Sequence, residues 1–131
     1  MRLLLFDIDG TLVDTRGAGL ASLLDAVEEV FEVSRESVPP LDLAGATDGA
    51  VLRTLFRDLG LKDEPRLRRK YLDAYLDHLV RRLADDEFAG VSLLGVPGLI
   101  EVLAEVPHVS LGLLTGNRSE ERRVGKECRS R

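Results

Sequence analysis

The chain has 131 residues, of which 44% are hydrophobic and 31% are charged, an ordinary composition for a globular protein. Its formal net charge of −5 disfavours general nucleic-acid binding. No stretch approaches the roughly 18 apolar residues of a membrane span, and acids follow the first apolar run too closely for a signal peptide. We therefore expect a cytoplasmic protein that binds neither nucleic acid nor membrane. Its single cysteine, Cys128, cannot form an internal disulfide, which fits a reducing compartment.

The N-terminal segment predicts a strand that ends in acidic residues. The apolar run over residues 3–6 is typical of a short strand buried on both faces, and Asp7 and Asp9 follow it. Alternate residues of an extended chain point to opposite faces, so the two carboxylates share a target only if the chain turns sharply, which Gly10 permits. Paired carboxylates at a strand end favour a hard cation such as Mg²⁺. The alternative is an Asp-Gly turn that closes a hairpin.

Three amphipathic helices are predicted after this strand. Apolar residues at three- and four-residue spacing predict helices over 17–32, 47–60 and 65–84. Thr47 or Asp48 can cap the second helix, and Pro65 suits the first turn of the third. The basic cluster in residues 66–70 is interpreted mainly as a solvated face, and the two histidines as packing and turn residues.

A second strand is predicted over residues 109–114, after a helix that begins at Pro97. It ends in Thr115, Gly116 and Asn117. A hydroxyl followed by glycine at a strand end can offer its O–H and backbone N–H groups to phosphate oxygens. This short motif alone is weak evidence for a phosphate site.

The string from Asp7 to Asp14, after four apolar residues, resembles the first signature of the haloacid dehalogenase-like hydrolase superfamily, whose members are mostly phosphatases. The second strand and Thr115 resemble the second signature. The resemblance implies an α/β fold with a Rossmann-like parallel-sheet core, incomplete here at about two strands, and an inserted α-helical cap. The inserted helices resemble the cap of phosphoglycolate phosphatase-like and β-phosphoglucomutase-like members. The implied division is core at 1–15 and 91–117, with the cap at 16–90.

The resemblance also implies a role for each candidate site residue. Asp7 is the expected nucleophile, which forms an aspartyl phosphate and binds Mg²⁺ through its carboxylate. Asp9 is the expected general acid and base, and its main-chain carbonyl also binds the metal. An acid at this second position argues for phosphate chemistry over dehalogenation. Thr47 is a candidate substrate contact in the cap, although an ordinary helix N-cap is the preferred interpretation. The expected phosphate contacts are Gly10, Thr11, Thr115, Gly116 and Asn117.

The chain departs from the family pattern after Asn117. Neither the expected lysine or arginine nor the third metal-binding acid is recognisable. Residues 118–131 contain six of the 18 basic residues but only three of the 23 acidic ones. This segment resembles one translated frame of a common sequencing adapter, so we expect a truncated fragment with a non-native tail. Because two strands leave open edges and uncovered apolar faces, we also expect marginal folding.

The leading functional prediction is a Mg²⁺-dependent phosphomonoester hydrolase that acts on a small phosphorylated metabolite. This fragment itself is expected to be inactive. A phosphomutase of the β-phosphoglucomutase type is the alternative within the resemblance. A helical interaction module is the non-enzyme alternative, but it leaves the acidic string after the first strand unexplained. The sequence identifies neither the substrate nor the oligomeric state.

Overall fold

The computed structural model describes residues 1–87 and 90–116. Asn117 and the predicted non-native tail at 118–131 lie outside the described residues. A 3₁₀ turn at Arg35–Ser37 lies between the first two helices. The strands are β1 Arg2–Phe6, β2 Val13–Asp14, β3 Val91–Ser92 and β4 Val109–Leu113. The helices are α1 Ala18–Phe31, α2 Asp48–Asp58, α3 Pro65–Leu83 and α4 Val96–Ala104.

The strands form two separate two-stranded sheets. β1 pairs in parallel with β4, in a register that places Arg2 opposite Val109 and Phe6 opposite Leu113. β2 pairs with β3 in antiparallel orientation. The α/β class with a parallel sheet and intervening helices is therefore confirmed. The alternative of an Asp-Gly hairpin is wrong, because β1 pairs with a strand about a hundred residues away and not with β2.

The pairing of β2 with β3 was not predicted. Each strand has only two residues, so neither shows a hydrophobic period that distinguishes it from a loop. The N–H of Leu93 also donates to the carbonyl of Leu12 at 3.0 Å, which extends the contact. The two ends of the segment between these strands, residues 15–90, are therefore next to each other, and the segment contains α1, α2 and α3.

We call α1, α2 and α3 together the helical unit. Its helices match the predicted ranges to within about two residues, the usual uncertainty of helix ends. Leu55 is fully buried, and the rings of Phe31 and Tyr71 stack with centroids 5.5 Å apart. Apolar residues on the predicted stripes form one buried cluster: Leu23, Ala26, Val27, Val30, Leu52, Leu55, Phe56, Tyr71 and Ala74.

Ion pairs connect the elements of the helical unit at its surface. Asp25 of α1 accepts hydrogen bonds from Arg82 of α3 at 2.5 Å and from Arg35 of the 3₁₀ turn at 2.9 Å. His78 Nε2 lies 2.7 Å from a Glu29 carboxylate oxygen, so this histidine joins α3 to α1. Partial burial raises the pKa of Asp25, but the bonds from Arg82 and Arg35 outweigh it and hold that pKa below its usual value.

We call the pair of strands β1 and β4 the core sheet, against which α4 packs. The expectation that β1 is buried on both faces is wrong for the described residues, since Leu3 is 62% exposed and Leu5 50%. In α4, Leu99 and Val102 are 49% and 66% exposed. The physical reason is that β1 has one strand neighbour, and α4 packs beside β4 without burying any residue fully. These open faces match the expectation for a two-stranded parallel sheet.

Among the described residues, no helix is both long enough and apolar enough to cross a membrane. The longest helix, α3, has 19 residues, but charged side chains interrupt its sequence throughout.

Candidate active site

The ends of β1 and β4 bring the two predicted signatures to the same edge of the core sheet. The N–H of Leu114 donates to the carbonyl of Phe6 at 2.9 Å, one step beyond the last residue pair of the ladder. Asp7 follows Phe6 directly, and Thr115 follows Leu114 directly. Ligands of open α/β sheets bind at the carboxyl ends of their strands. The predicted nucleophile and the predicted phosphate contact therefore occupy the edge where chemistry is expected.

The loop after β1 is a tight turn built around one carbonyl group. The carbonyl of Ile8 accepts the N–H groups of Thr11, Leu12 and Val13 at 3.3, 2.9 and 3.2 Å. Gly10 has a φ of +74°, in the left-handed region that favours glycine, and its N–H donates to the carbonyl of Val13 at 2.9 Å. The sharp turn that the sequence required is therefore present.

Both acids of this turn are accessible to solvent. Asp7 and Asp9 are exposed, as are Gly10 and Thr11 beside them. Asp14, at the end of the same string, accepts the N–H of Arg16 at 2.7 Å and so closes the following turn. The structure thus gives Asp14 a local backbone role, while Asp7 and Asp9 stand at the open edge of the core sheet.

The donor atoms after β1 fit Mg²⁺ in part. Carboxylate and carbonyl oxygens are the ligands that this hard ion prefers, and it often takes only one or two carboxylates and keeps several waters. Asp7 and Asp9 supply this chemistry at a solvent-accessible turn. Within residues 1–87 and 90–116, however, no group of three or more acidic, histidine or cysteine side chains is close enough to hold a metal. The described residues thus offer Mg²⁺ these two acids and leave its other positions to water or to further groups.

The start of α2 also reaches this edge. The side chain of Thr47 accepts the N–H of Ala50 at 3.2 Å, so it is the N-cap of α2, the interpretation preferred from sequence. Gly116 lies against the backbone just before this cap, since a Cβ placed on it would be 2.6 Å from the carbonyl oxygen of Ala46. This contact was not predicted, because it involves a backbone carbonyl and leaves no signal in residue type.

The histidines and the basic cluster lie elsewhere. His108 is an exposed turn residue with a φ of +62°, just before β4 begins, and its carbonyl accepts the N–H of Arg2 at 2.7 Å. Most of the cluster at 66–70 is exposed, as expected for a solvated face. Arg68 differs, because it forms an ion pair with Asp63 and its guanidinium lies 5.9 Å from the centroid of the Phe56 ring.

Solved structures identify this fold. No protein-family model matches the sequence, and no curated protein does. A hydrolase from Pseudomonas syringae superimposes with a TM-score of 0.73 at 19% identity, over 97% of this chain and 55% of that one. A predicted phosphoglycolate phosphatase from Haemophilus somnus 129PT superimposes with a TM-score of 0.64 at 14% identity, over 97% of this chain and 57% of that one.

At 19% and 14% identity these likenesses show the fold alone, and it is the α/β fold expected from the haloacid dehalogenase-like resemblance. The predicted resemblance is confirmed at the level of fold. The chain spans a little more than half the length of each neighbour.

Proposed function

We propose that this chain contains the first part of the active site of a Mg²⁺-dependent phosphatase, which acts on a small phosphorylated metabolite in the cytoplasm. The observation that supports it most is the meeting of two strand ends, one followed by Asp7 and Asp9 and the other by Thr115 and Gly116. The likeness to a predicted phosphoglycolate phosphatase supports the same chemistry.

In the proposed first step, a carboxylate oxygen of Asp7 attacks phosphorus. A new O–P bond forms, the bond to the leaving oxygen breaks, and Asp9 donates its proton to that oxygen, so an alcohol leaves. In the second step Asp9 takes a proton from water as the water attacks the phosphorus of the aspartyl phosphate. The bond between phosphorus and the Asp7 oxygen breaks, inorganic phosphate leaves, and both acids return to their starting protonation states.

The carboxylate of Asp7 and the main-chain carbonyl of Asp9 are the proposed protein ligands of Mg²⁺. When bound, the metal neutralises negative charge on the phosphoryl oxygens. The proposed phosphate contacts among the described residues are Gly10 and Thr11 in the first turn, with Thr115 and Gly116 after β4. The expected contact of Asn117 lies outside the described residues.

We further propose that the 131-residue chain is inactive by itself. A transferring phosphoryl group carries negative charge that several cationic groups must stabilise together. Neither the lysine or arginine of the family pattern nor a third metal-binding acid is recognisable in the sequence. Removal of a single stabilising group from such a site costs about 100- to 1,000-fold in rate.

The test is phosphate release by a completed protein, in which the native coding sequence after Asn117 replaces the adapter-like segment 118–131. We expect Mg²⁺-dependent hydrolysis of small phosphomonoesters, and a loss of about 1,000-fold or more for Asp7→Asn, which removes the nucleophile. Asp86→Asn, an exposed acid after α3, is the matched control and should keep full activity. Equal turnover in Asp7→Asn and the parent would exclude Asp7 as nucleophile. A requirement for a bisphosphate activator would identify a phosphomutase instead.

A further inference from the structure

Gly116 is distinguished from the other described glycines by what surrounds it. Its φ is not positive, so its backbone conformation does not itself require glycine. A Cβ at this position would lie 2.6 Å from the Ala46 carbonyl oxygen, 3.2 Å from the Ala46 carbonyl carbon and 3.4 Å from the Thr47 Cα. All three are backbone atoms, which cannot rotate away as the end of a side chain can. Any side chain at 116 therefore requires the backbone to move.

The backbone opposite Gly116 is held in place from its other side. The carbonyl of Thr47 accepts the N–H groups of Ala50 and Val51 at 2.9 and 3.0 Å, which begins α2. α2 in turn buries Leu55 and its neighbours in the helical unit. A shift of residues 46–47 would therefore disturb the first turn of α2, whose N–H groups form the positive end of the helix.

Gly116 also follows Thr115, the proposed phosphate contact at the end of β4. The start of α2 thus approaches the end of β4 at a contact that only glycine permits. We propose that Gly116 is a positioning residue that seats residues 46–47 on the end of β4 and so holds the start of α2 over the substrate. This role rests on the proposed phosphatase function. The role of Gly116 adds to that function a contact between the helical unit and the core sheet.

The contact itself can be tested in the unaltered 131-residue chain. Proton NMR should show a nuclear Overhauser effect between an Hα proton of Gly116 and the Hα of Thr47, because one Gly116 Hα points where a Cβ would lie, and that Cβ would be 3.4 Å from the Thr47 Cα. Absence of that effect in a chain with folded-state chemical shifts would overturn the proposal. This measurement requires neither activity nor a variant that folds.

Amide hydrogen exchange then tests whether residues 46–47 or the end of β4 moves when a side chain is added at position 116. In Gly116→Ala we expect exchange at Ala50 and Val51 to accelerate about tenfold or more, because their bonds to Thr47 loosen. Gly98→Ala is the matched control, since its Cβ would meet nothing within 4 Å. Unchanged exchange at Ala50 and Val51, or a change confined to Leu114 at the end of β4, would overturn the proposal.

The KM values of the completed protein for two substrates of different size distinguish a positioning role of Gly116 from a general effect on stability. Gly116→Ala keeps the backbone N–H that is the proposed phosphate contact, so we expect KM for a phosphomonoester with a large organic group to rise about tenfold. Acetyl phosphate, which offers little for α2 to contact, should show a much smaller rise in KM. Equal losses for both substrates would overturn the positioning role. Absence of any phosphatase activity would refute the proposed function, while the NMR contact would still stand or fall separately.

Discussion

Leu55 in α2 and Leu113 in β4 are the same residue type in regular elements of the same chain. Leu55 is 0% exposed, whereas Leu113 is 53% exposed. The difference follows from what each element packs against. The helical unit supplies its own partners, because α1 packs along α3 and α2 adds Leu52, Leu55 and Phe56 to the same cluster. In the core sheet, β1 and β4 pair with each other and leave apolar side chains in contact with solvent.

This comparison shows where the free energy of folding is concentrated. Burial of apolar area contributes about 25 cal/mol per Å², so half-exposed leucines contribute much less than buried ones. The edge that carries the proposed nucleophile, however, belongs to the core sheet. The chain therefore holds its proposed nucleophile on its less stabilised part, as expected if further strands and helices complete the fold.

The largest expected effect is the loss of stability in Leu55→Ala. This substitution leaves a cavity in the helical cluster and should lower the free energy of unfolding by about 2–5 kcal/mol. Leu113→Ala removes the same atoms from a half-exposed site and should cost less than about 1 kcal/mol. Urea unfolding followed by far-ultraviolet circular dichroism measures both. Similar losses in the two variants would mean that the core sheet is buried as well as the helical unit.

Sequence reasoning was accurate where the determining contacts are local. The helical stripes, the Thr47 cap and the start of α3 at Pro65 depend on residues within a few positions of each other. The meeting of Asp7 and Thr115 at one edge was also predictable, because parallel strands align their carboxyl ends. The local helix patterns and this general property of parallel strands together account for the α/β class and for the position of the candidate site.

The remaining features depend on distant partners. The bond from Arg82 to Asp25 spans 57 residues, and nothing in either neighbourhood identifies the other residue. The contact of Gly116 with Ala46 joins a glycine to a backbone carbonyl and has no signature in residue type. The exposure of Leu3 and Leu5 follows from how few neighbours the described residues provide, which the apolar pattern of a strand cannot indicate.

A smaller effect is expected from acid, and it should fall on the helical unit. Hydrogen bonds from Arg35 hold the pKa of Glu28 below its usual value, and Arg82 and Arg35 do the same for Asp25 against its partial burial. The folded state thus binds protons more weakly than the unfolded chain at these groups. Their stabilisation is present above the unfolded pKa values, near pH 4, and is lost as pH falls through the lower folded values.

The measurement is the free energy of unfolding between about pH 6 and pH 2, by urea titration at each pH. Asp25→Asn should cost about 1–3 kcal/mol at neutral pH, because Arg82 and Arg35 lose a charged acceptor in a partly buried site. It should also flatten the decline in acid. Asp77→Asn, an exposed acid on α3, is the control. An equal acid response in Asp25→Asn and the parent would show that these ion pairs do not control the decline.

The smallest expected effect is that of Val102→Thr in α4, and the same substitution at Val27 in the helical cluster is its comparison. Val27→Thr places a hydroxyl in the fully buried cluster and should cost about 1–3 kcal/mol, whereas Val102→Thr at a 66% exposed position of α4 should change stability by less than about 0.5 kcal/mol. Valine and threonine have similar helix propensities, so the difference reports burial. If Val102→Thr instead costs as much as Val27→Thr, α4 is covered in solution. A loss that grows with protein concentration would then identify a second copy of the chain as the cover, because association stabilises by mass action.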